Sequence, residues 1–236
     1  MKVKGIFNFK QFAVKHEKST MKVGTDAVLL GAWVKTIGTQ RVLDIGTGCG
    51  IITLMLAQRN EQANVIGIDI DLASVEEATE NAKNSPWYAR IAFENTSLQS
   101  YHPTALFDLI VSNPPFFQSG TTSPVASRKS ARHTVELSFT ALLNNAQRLL
   151  TSYGNFSVIL PESAQNKFVA EANKFDLYLN KITYFKPLTT KKPERVLMNF
   201  CRNKTVLEKS TLIHYQENGD WTEEYIGLTK DFYLKL

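Results

Sequence analysis

The segment FDLIVSNPPF, residues 107–116, ends an apolar run in an amide, two prolines and an aromatic ring. Proline pushes the residue before it into extended geometry, so Asn113 and Pro114 are both held there and the second ring leaves little freedom. The Asn113 side-chain oxygen and the Pro114 carbonyl can then accept the two hydrogens of one planar NH2 group, while Phe116 offers a face for stacking. A strand-ending Pro-Pro turn explains the prolines. It does not explain an amide and an aromatic at the same place.

A second segment, LDIGTGCG at residues 43–50, follows a strand-like run and opens a helical one. Gly46, Gly48 and Gly50 permit a tight turn and close approach of a ligand to helix N-terminal amides, which points to a nucleotide-like molecule. Asp44 stands just upstream. Ile51 occupies the place where the dinucleotide fingerprint needs its third glycine, which tilts the motif away from NAD or FAD. Asp69 closes VIGIDID about twenty residues beyond the glycines, where a carboxylate accepts hydrogen bonds from ribose hydroxyls. The plain alternatives are a ligand-free glycine turn and a solvated loop acid. Asp71 is better placed as a helix cap.

The elements that must position these groups read as strands at Arg41 to Ile45, Asn64 to Asp69, Arg90 to Glu94, Phe107 to Ser112 and Asn155 to Leu160. Between them Asp71 caps a helix with Leu72, Val75, Thr79 and Ala82 on its apolar face, and Ser138 caps one lined by Phe139, Leu142, Leu143, Ala146 and Leu150. Such alternation builds a parallel sheet covered on both faces, the α/β class. Ligands collect at the carboxyl ends of such strands, so the glycine loop and the Asn-Pro-Pro turn are expected side by side. The first 40 residues hold a Lys-rich lead and a helix from Thr25 to about Lys35, capped by Thr25 or Asp26. This stretch reads as a lid or prelude to a core over 41–236, one domain in all. RVLMNFCR, from Arg195 to Arg202, reads as a late strand, and a polar loop at Asn218, Gly219 and Asp220 precedes a last helical stretch.

With 236 residues, 43% apolar and 21% charged, the chain can bury a full core, which excludes disorder and disulfide miniproteins. Lys and Arg number 27 against 22 Asp and Glu, a formal charge of +5, which weakly favours a polyanionic partner. Cys49 and Cys201 have no metal or redox spacing, so a reducing compartment and no zinc are expected. No apolar run approaches the ~20 residues that cross a bilayer, and the start lacks a secretory signal; the cytoplasm is expected. Basic residues gather in the lead (Lys2, Lys4, Lys10, Lys15, Lys18, Lys22), at Arg128, Lys129, Arg132 and His133, and at Lys186, Lys191, Lys192 and Arg195. Charge runs are usually solvated faces. The second cluster follows the Asn-Pro-Pro turn closely, and its Arg128, Lys129 and Arg132 are expected to touch the phosphates of such a polyanionic partner.

DIGTGCG, an acid closing the second strand, and NPPF together resemble the class I S-adenosylmethionine-dependent methyltransferases that act on exocyclic or amide nitrogen. FNFKQFAVKHEKSTMKVGTDAVLLGAWV (7–34), NSPWYARI (84–91), NPPFFQSG (113–120), ILPE, ERVLMNF and LTKDFYLKL are similar to bacterial tRNA1(Val) adenine N6-methyltransferases, and the likeness runs over most of the chain. It implies a Rossmann-like sheet of seven strands, mostly parallel with the last antiparallel, and helices on both faces. S-adenosylmethionine is the implied cofactor, and tRNA the implied partner, modified at adenine 37 beside the anticodon without a metal. On this resemblance Asn113, Pro114 and Phe116 serve catalysis, and Thr25, Asp44, Gly46, Gly48, Gly50 and Asp69 serve the cofactor. Phe117 helps to form the base pocket. In place of the acid that related sequences carry near the cofactor adenine stands FENTSLQ, which puts Ser97 there, with Asn95 and Thr96 as alternatives. An N5-glutamine methyltransferase, an adenine enzyme for other RNA or DNA, and a noncatalytic RNA-binding module are the rival readings; the basic balance and the absence of a helical N-terminal domain favour RNA.

Overall fold

The computed structural model describes residues 5–19, 21–115 and 137–235. A hairpin of β1 (Ile6–Asn8) and β2 (Ala13–Lys15) leads into α1 (Thr25–Trp33). Then β3 (Arg41–Ile45), α2 (Ile51–Arg59), β4 (Asn64–Asp69), α3 (Leu72–Lys83), β5 (Ile91–Asn95) and β6 (Phe107–Ser112) alternate. They are followed by α4 (Phe139–Leu149), β7 (Leu150–Pro161), α5 (Gln165–Asn173), β8 (Tyr178–Lys186), β9 (Arg195–Cys201), β10 (Glu208–Ile213) and α6 (Glu223–Thr229).

The sheet runs β10-β8-β9-β7-β6-β3-β4-β5 and is parallel except for β9, which lies antiparallel between β7 and β8. It therefore has one strand more than the seven expected, because β10 pairs parallel with β8 beyond the antiparallel strand. Only Leu212 of β10 is fully buried, so the segment lacks the apolar pattern of an inner strand and its ladder to β8 decides the conformation. β3 and β6 carry nearly unbroken apolar runs because both faces of the sheet are covered. On one face Leu29, Leu54, Met55, Val65 and Val111 join α1 and α2 to the hairpin's Phe9, Phe12 and Val14. On the other, Ile110, Leu142, Phe156, Phe168 and Met198 pack α4 and α5 against the sheet.

Ser138 and Asp71 cap their helices as expected, accepting from Ala141 N and Ser74 N. Two local expectations are corrected. Neither Thr25 nor Asp26 caps α1: extended Gly24 is the N-cap residue, with no side-chain bond, and Asp26 lies within the helix. Leu72 is exposed, and the buried side of α3 runs through Ser74, Val75, Glu77, Ala78, Asn81 and Ala82. The helix is turned so that three polar residues, Ser74, Glu77 and Asn81, face inward.

Candidate active site

Ile45, the last residue of β3, stands opposite Ser112 of β6 on one side and Ile68 of β4 on the other. Gly46, Asp69 and Asn113 therefore leave three adjacent parallel strands at about one level. From β3 the chain moves outward through β4 and β5 and then returns to β6 on the opposite side, which makes this rim the topological switch point where open α/β sheets hold ligands. Short bonds fix the rim: Gly46 N and Thr47 N both donate to the Ile68 carbonyl, at 2.9 and 3.1 Å. The Ser112 hydroxyl donates to the Ile45 carbonyl at 2.9 Å, tying the end of β6 to that of β3.

Within the loop Gly46, Gly48 and Gly50 hold φ of +72°, +54° and +82°, the left-handed region that side chains resist. At Gly50 a Cβ would also stand 3.1 Å from that of Ala78, while Gly46 opens onto free space. Asp69 accepts from Gly48 N at 2.9 Å and from Asp71 N at 3.0 Å, one bond per oxygen, which leaves a further lone pair on each. Its burial raises the carboxyl pKa against the opposing pull of those amides.

Asp44 is fully buried behind the loop and accepts from the Thr47 and Thr53 hydroxyls at 2.8 and 2.9 Å, both through Oδ2. Its Oδ1 has no partner among the described residues. Desolvation pushes the carboxyl up to about 6 despite the two hydroxyls. An unsatisfied buried acceptor is costly, and a ligand's donor or cation relieves it. Burial also pushes the neighbouring Cys49 thiol up to about 12, which makes it no nucleophile at neutral pH.

Asn113 is half-buried, Pro114 buried and Pro115 exposed. Phe116, Phe117, Arg128, Lys129, Arg132 and His133 lie outside the described residues. Thr25 is exposed at the start of α1, and that start is held at the same rim by Asp26, whose Oδ2 accepts from Arg195 Nε at 2.8 Å. Arg195 opens β9 opposite Pro161, the end of β7. Beyond β5, Ser97 Oγ accepts from Ser100 N at 3.2 Å and closes a short 3₁₀ turn. Asn95 Nδ2 and Thr96 N both donate to the Asp69 carbonyl at 3.0 Å, so this segment flanks Asp69. The three glycines, Asp69, Asn113 and Pro114 thus share one rim of the sheet with Asp44 buried behind it, while Thr25 opens the helix tied to that rim and Ser97 lies just beyond β5. A separate cleft of about 430 Å³, lined by Arg41, Ile66, Glu94, Thr96 and Tyr101, includes neither the glycines nor Asn113. Among the described residues no group of three or more His, Cys, Asp or Glu could hold a metal ion.

Sequence reasoning missed Glu77 and Asn81. Glu77 Oε1 accepts from Glu17 N and Lys18 N at 2.8 and 2.9 Å, and Oε2 from Ser19 N at 2.9 Å. One turn later Asn81 Nδ2 donates to the carbonyls of Lys15 and Cys49, at 2.8 and 2.9 Å, and its Oδ1 accepts from Lys15 N at 2.8 Å. The available signal was two polar residues spaced i, i+4 beside Val75, Ala78 and Ala82, a pattern that reads first as a solvated face.

A family model described as "Methyltransferase small domain" matches residues 18–174. The tRNA1(Val) (adenine(37)-N6)-methyltransferase of Phocaeicola vulgatus is 42% identical over 232 residues, 98% of this chain and 98% of its own. That of Flavobacterium psychrophilum is 42% identical over 234 residues, 98% of this chain and 100% of its own. Among solved structures, a predicted O-methyltransferase from Agrobacterium tumefaciens superposes with TM-score 0.70 at 20% identity, over 88% of this chain and 96% of that one. A putative RNA methyltransferase from Pyrococcus horikoshii gives TM-score 0.56 at 15% identity, over 83% and 92%. Identities this low speak for the Rossmann-like methyltransferase fold alone. Relatives alike over nearly the full length speak for more, and the chain belongs to the family of tRNA1(Val) (adenine(37)-N6)-methyltransferases.

Proposed function

We propose that this enzyme transfers a methyl group from S-adenosylmethionine to N6 of an adenine in the anticodon region of tRNA, adenine 37 of tRNA1(Val) as its relatives are named. The observation that carries the proposal is the register of Ile45 with Ser112, which sets the glycine loop and the Asn-Pro turn on one edge of the sheet. The residues present fit the donor. Asp69 has free lone pairs for ribose hydroxyls, Asp44 Oδ1 is an unpartnered buried acceptor for a cationic molecule, and Gly46 leaves open space above the loop.

When bound, S-adenosylmethionine supplies an electrophilic sulfonium methyl. The protein's task is alignment, since the adenine N6 lone pair is delocalised into the ring. Asn113 Oδ1 and the Pro114 carbonyl accept the two amino hydrogens and draw N6 toward tetrahedral geometry with its lone pair toward the crevice. The proton leaves after transfer, when the methylated nitrogen is strongly acidic, so no general base is assigned. Phe116 is assigned to stack on the extruded base and Phe117 to the pocket wall. Unstacking costs less in a loop than in a duplex. Thr25 and Ser97 are assigned to the two ends of the donor, and Arg128, Lys129 and Arg132 to RNA phosphates. We read residues 1–236 as one methyltransferase domain, a reading supported by the packing of Phe9, Phe12 and Val14 into the core of α1 and α2, and assign it to the cytoplasm on its likeness to tRNA-modifying enzymes.

An amide NH2 presents the same two hydrogens, so a protein glutamine is the competing substrate. The full-length likeness to tRNA enzymes favours adenine. Replacing Asn113 by Ala tests the clamp: turnover on unmodified tRNA is expected to fall at least about a hundredfold, the scale of one preorganised polar contact. Donor affinity is expected to stay within about twofold, both read by labelled-methyl transfer and calorimetry. Near-normal turnover with intact donor binding removes Asn113 from the mechanism.

A further inference from the structure

Glu77 has an unusual task for an acid on a helix that flanks a cofactor loop. Its side chain is 3% exposed and faces no lysine or arginine within salt-bridge distance among the described residues; its partners are three consecutive backbone amides, those of Glu17, Lys18 and Ser19. Charge-assisted bonds to three successive N–H groups immobilise that stretch of the lead far more firmly than neutral contacts do. Asn81, also 3% exposed, clasps Lys15 through both its N–H and its carbonyl and holds the Cys49 carbonyl with the same amide group. Cys49 belongs to the glycine loop. One face of α3 therefore fixes the lead and the loop together. Where they meet, the buried Ser19 Oγ stands 3.3 Å from the place a Cβ on Gly48 would take, and Gly48 N is the amide that Asp69 holds. The bond between Lys15 and Glu80 lies on the outside of the same helix, half-exposed, and does not reach the loop.

We propose that Glu77, assisted by Asn81, is a positioning residue for the methyl donor: it holds residues 17–19 against the glycine loop as one wall of the donor crevice. The inference rests on the donor reading given above. Its logic is a population argument. With the carboxylate in place the docked lead is the dominant state, and a donor binding a docked wall finds it ready-made. When the wall is docked only a tenth of the time, apparent affinity falls about tenfold with the intrinsic contacts unchanged. The Asn-Pro clamp lies on β6, across β3 from α3's loop, so the chemical step at saturating donor is left nearly intact.

Glu77→Gln keeps the size of the side chain but turns one acceptor into a donor facing an N–H. The expected result is a dissociation constant for S-adenosylhomocysteine raised about tenfold or more, and a donor KM raised in parallel. The kcat is expected within about twofold of normal, with faster hydrogen exchange at the amides of residues 17–19. Glu80→Gln, one turn along the exposed side, is expected to leave all four unchanged. Glu77→Asp keeps the charge and withdraws it by one carbon; it is expected to restore part of the affinity, and it serves as the test variant should Glu77→Gln not fold. Freed amides at 17–19 with unchanged donor affinity would overturn the proposal, since the anchoring would then be purely structural. An equal loss from Glu80→Gln would overturn it too. Absence of S-adenosylhomocysteine binding by the unaltered protein removes the donor reading and this proposal with it, whereas normal binding there and in the variant removes this proposal alone.

Discussion

Asp44 shows most clearly what the site asks of single residues. A carboxylate with no solvent exposure, one oxygen shared by two threonine hydroxyls and the other unpartnered, is unfavourable in the free protein. With its pKa raised from 3.8 to about 6, the folded state holds this proton more tightly than the unfolded chain does. The group therefore destabilises the free fold by about 3 kcal/mol at neutral pH, a penalty that shrinks as pH falls from about 6 toward 4. A cationic donor reverses the preference because it favours the carboxylate, so donor affinity rises with pH through about 6 and levels off above 7. Calorimetry at pH 5 and pH 7.5 is expected to show about tenfold weaker donor binding at the lower pH, with the slope abolished in Asp44→Asn. Equal affinity at both values would remove Asp44 from the donor site. The types and spacing of Asp44, Gly46, Gly48, Gly50, Asp69 and Asn113 were readable in the chain because tight turns and strand ends are local. Glu77 and Asn81 were not, since an acid and an amide on an amphipathic helix look solvated until the lead folds over them.

At the scale of elements, the decisive contact is the end of β6 against the end of β3. The Ser112 hydroxyl is the side-chain bond that ties them, and it is buried. Ser112→Ala leaves the Ile45 carbonyl short of this donor, an expected loss of about 1 kcal/mol. For a chain of this length that corresponds to roughly 2–4 °C in Tm by calorimetry. Because Asn113 is the next residue, kcat is expected to fall more than donor affinity, by about fivefold or more, as reactive groups lose alignment. An unchanged kcat in a measurably destabilised variant would show that the clamp is held from elsewhere. Inner strands were legible for a related reason. β3, β4 and β6 are covered on both sides, which demands continuous Val, Ile and Leu, whereas β8 is half-buried along much of its length and β10 is exposed over its first four residues. Their polarity matched loops, and only the ladder to a neighbouring strand makes them sheet. The short hairpin of β1 and β2 was hidden likewise, since three-residue strands carry no periodicity to read.

Over the whole molecule the rim has an order. Asp69 on β4, the glycine loop on β3 and the clamp on β6 follow one another across three strands spaced ~4.8 Å apart, and the start of β9 with Arg195 closes the far side. On the proposed reading, donor and acceptor approach from opposite ends of one edge. The formal charge of +5 fits a polyanionic substrate. With about three phosphate contacts, the KM for tRNA is expected to rise some twenty- to fortyfold between 50 and 200 mM salt while donor KM stays flat. A salt-independent tRNA KM would contradict phosphate contact. The most direct test follows the methyl group itself: incubate the protein with isotope-labelled S-adenosylmethionine and unmodified tRNA1(Val), digest, and map the label by mass spectrometry. One labelled N6-methyladenosine from the anticodon-loop fragment, at position 37, is the predicted result; label elsewhere in the tRNA, or none on adenine N6 although the donor binds, would contradict a shared crevice for clamp and donor.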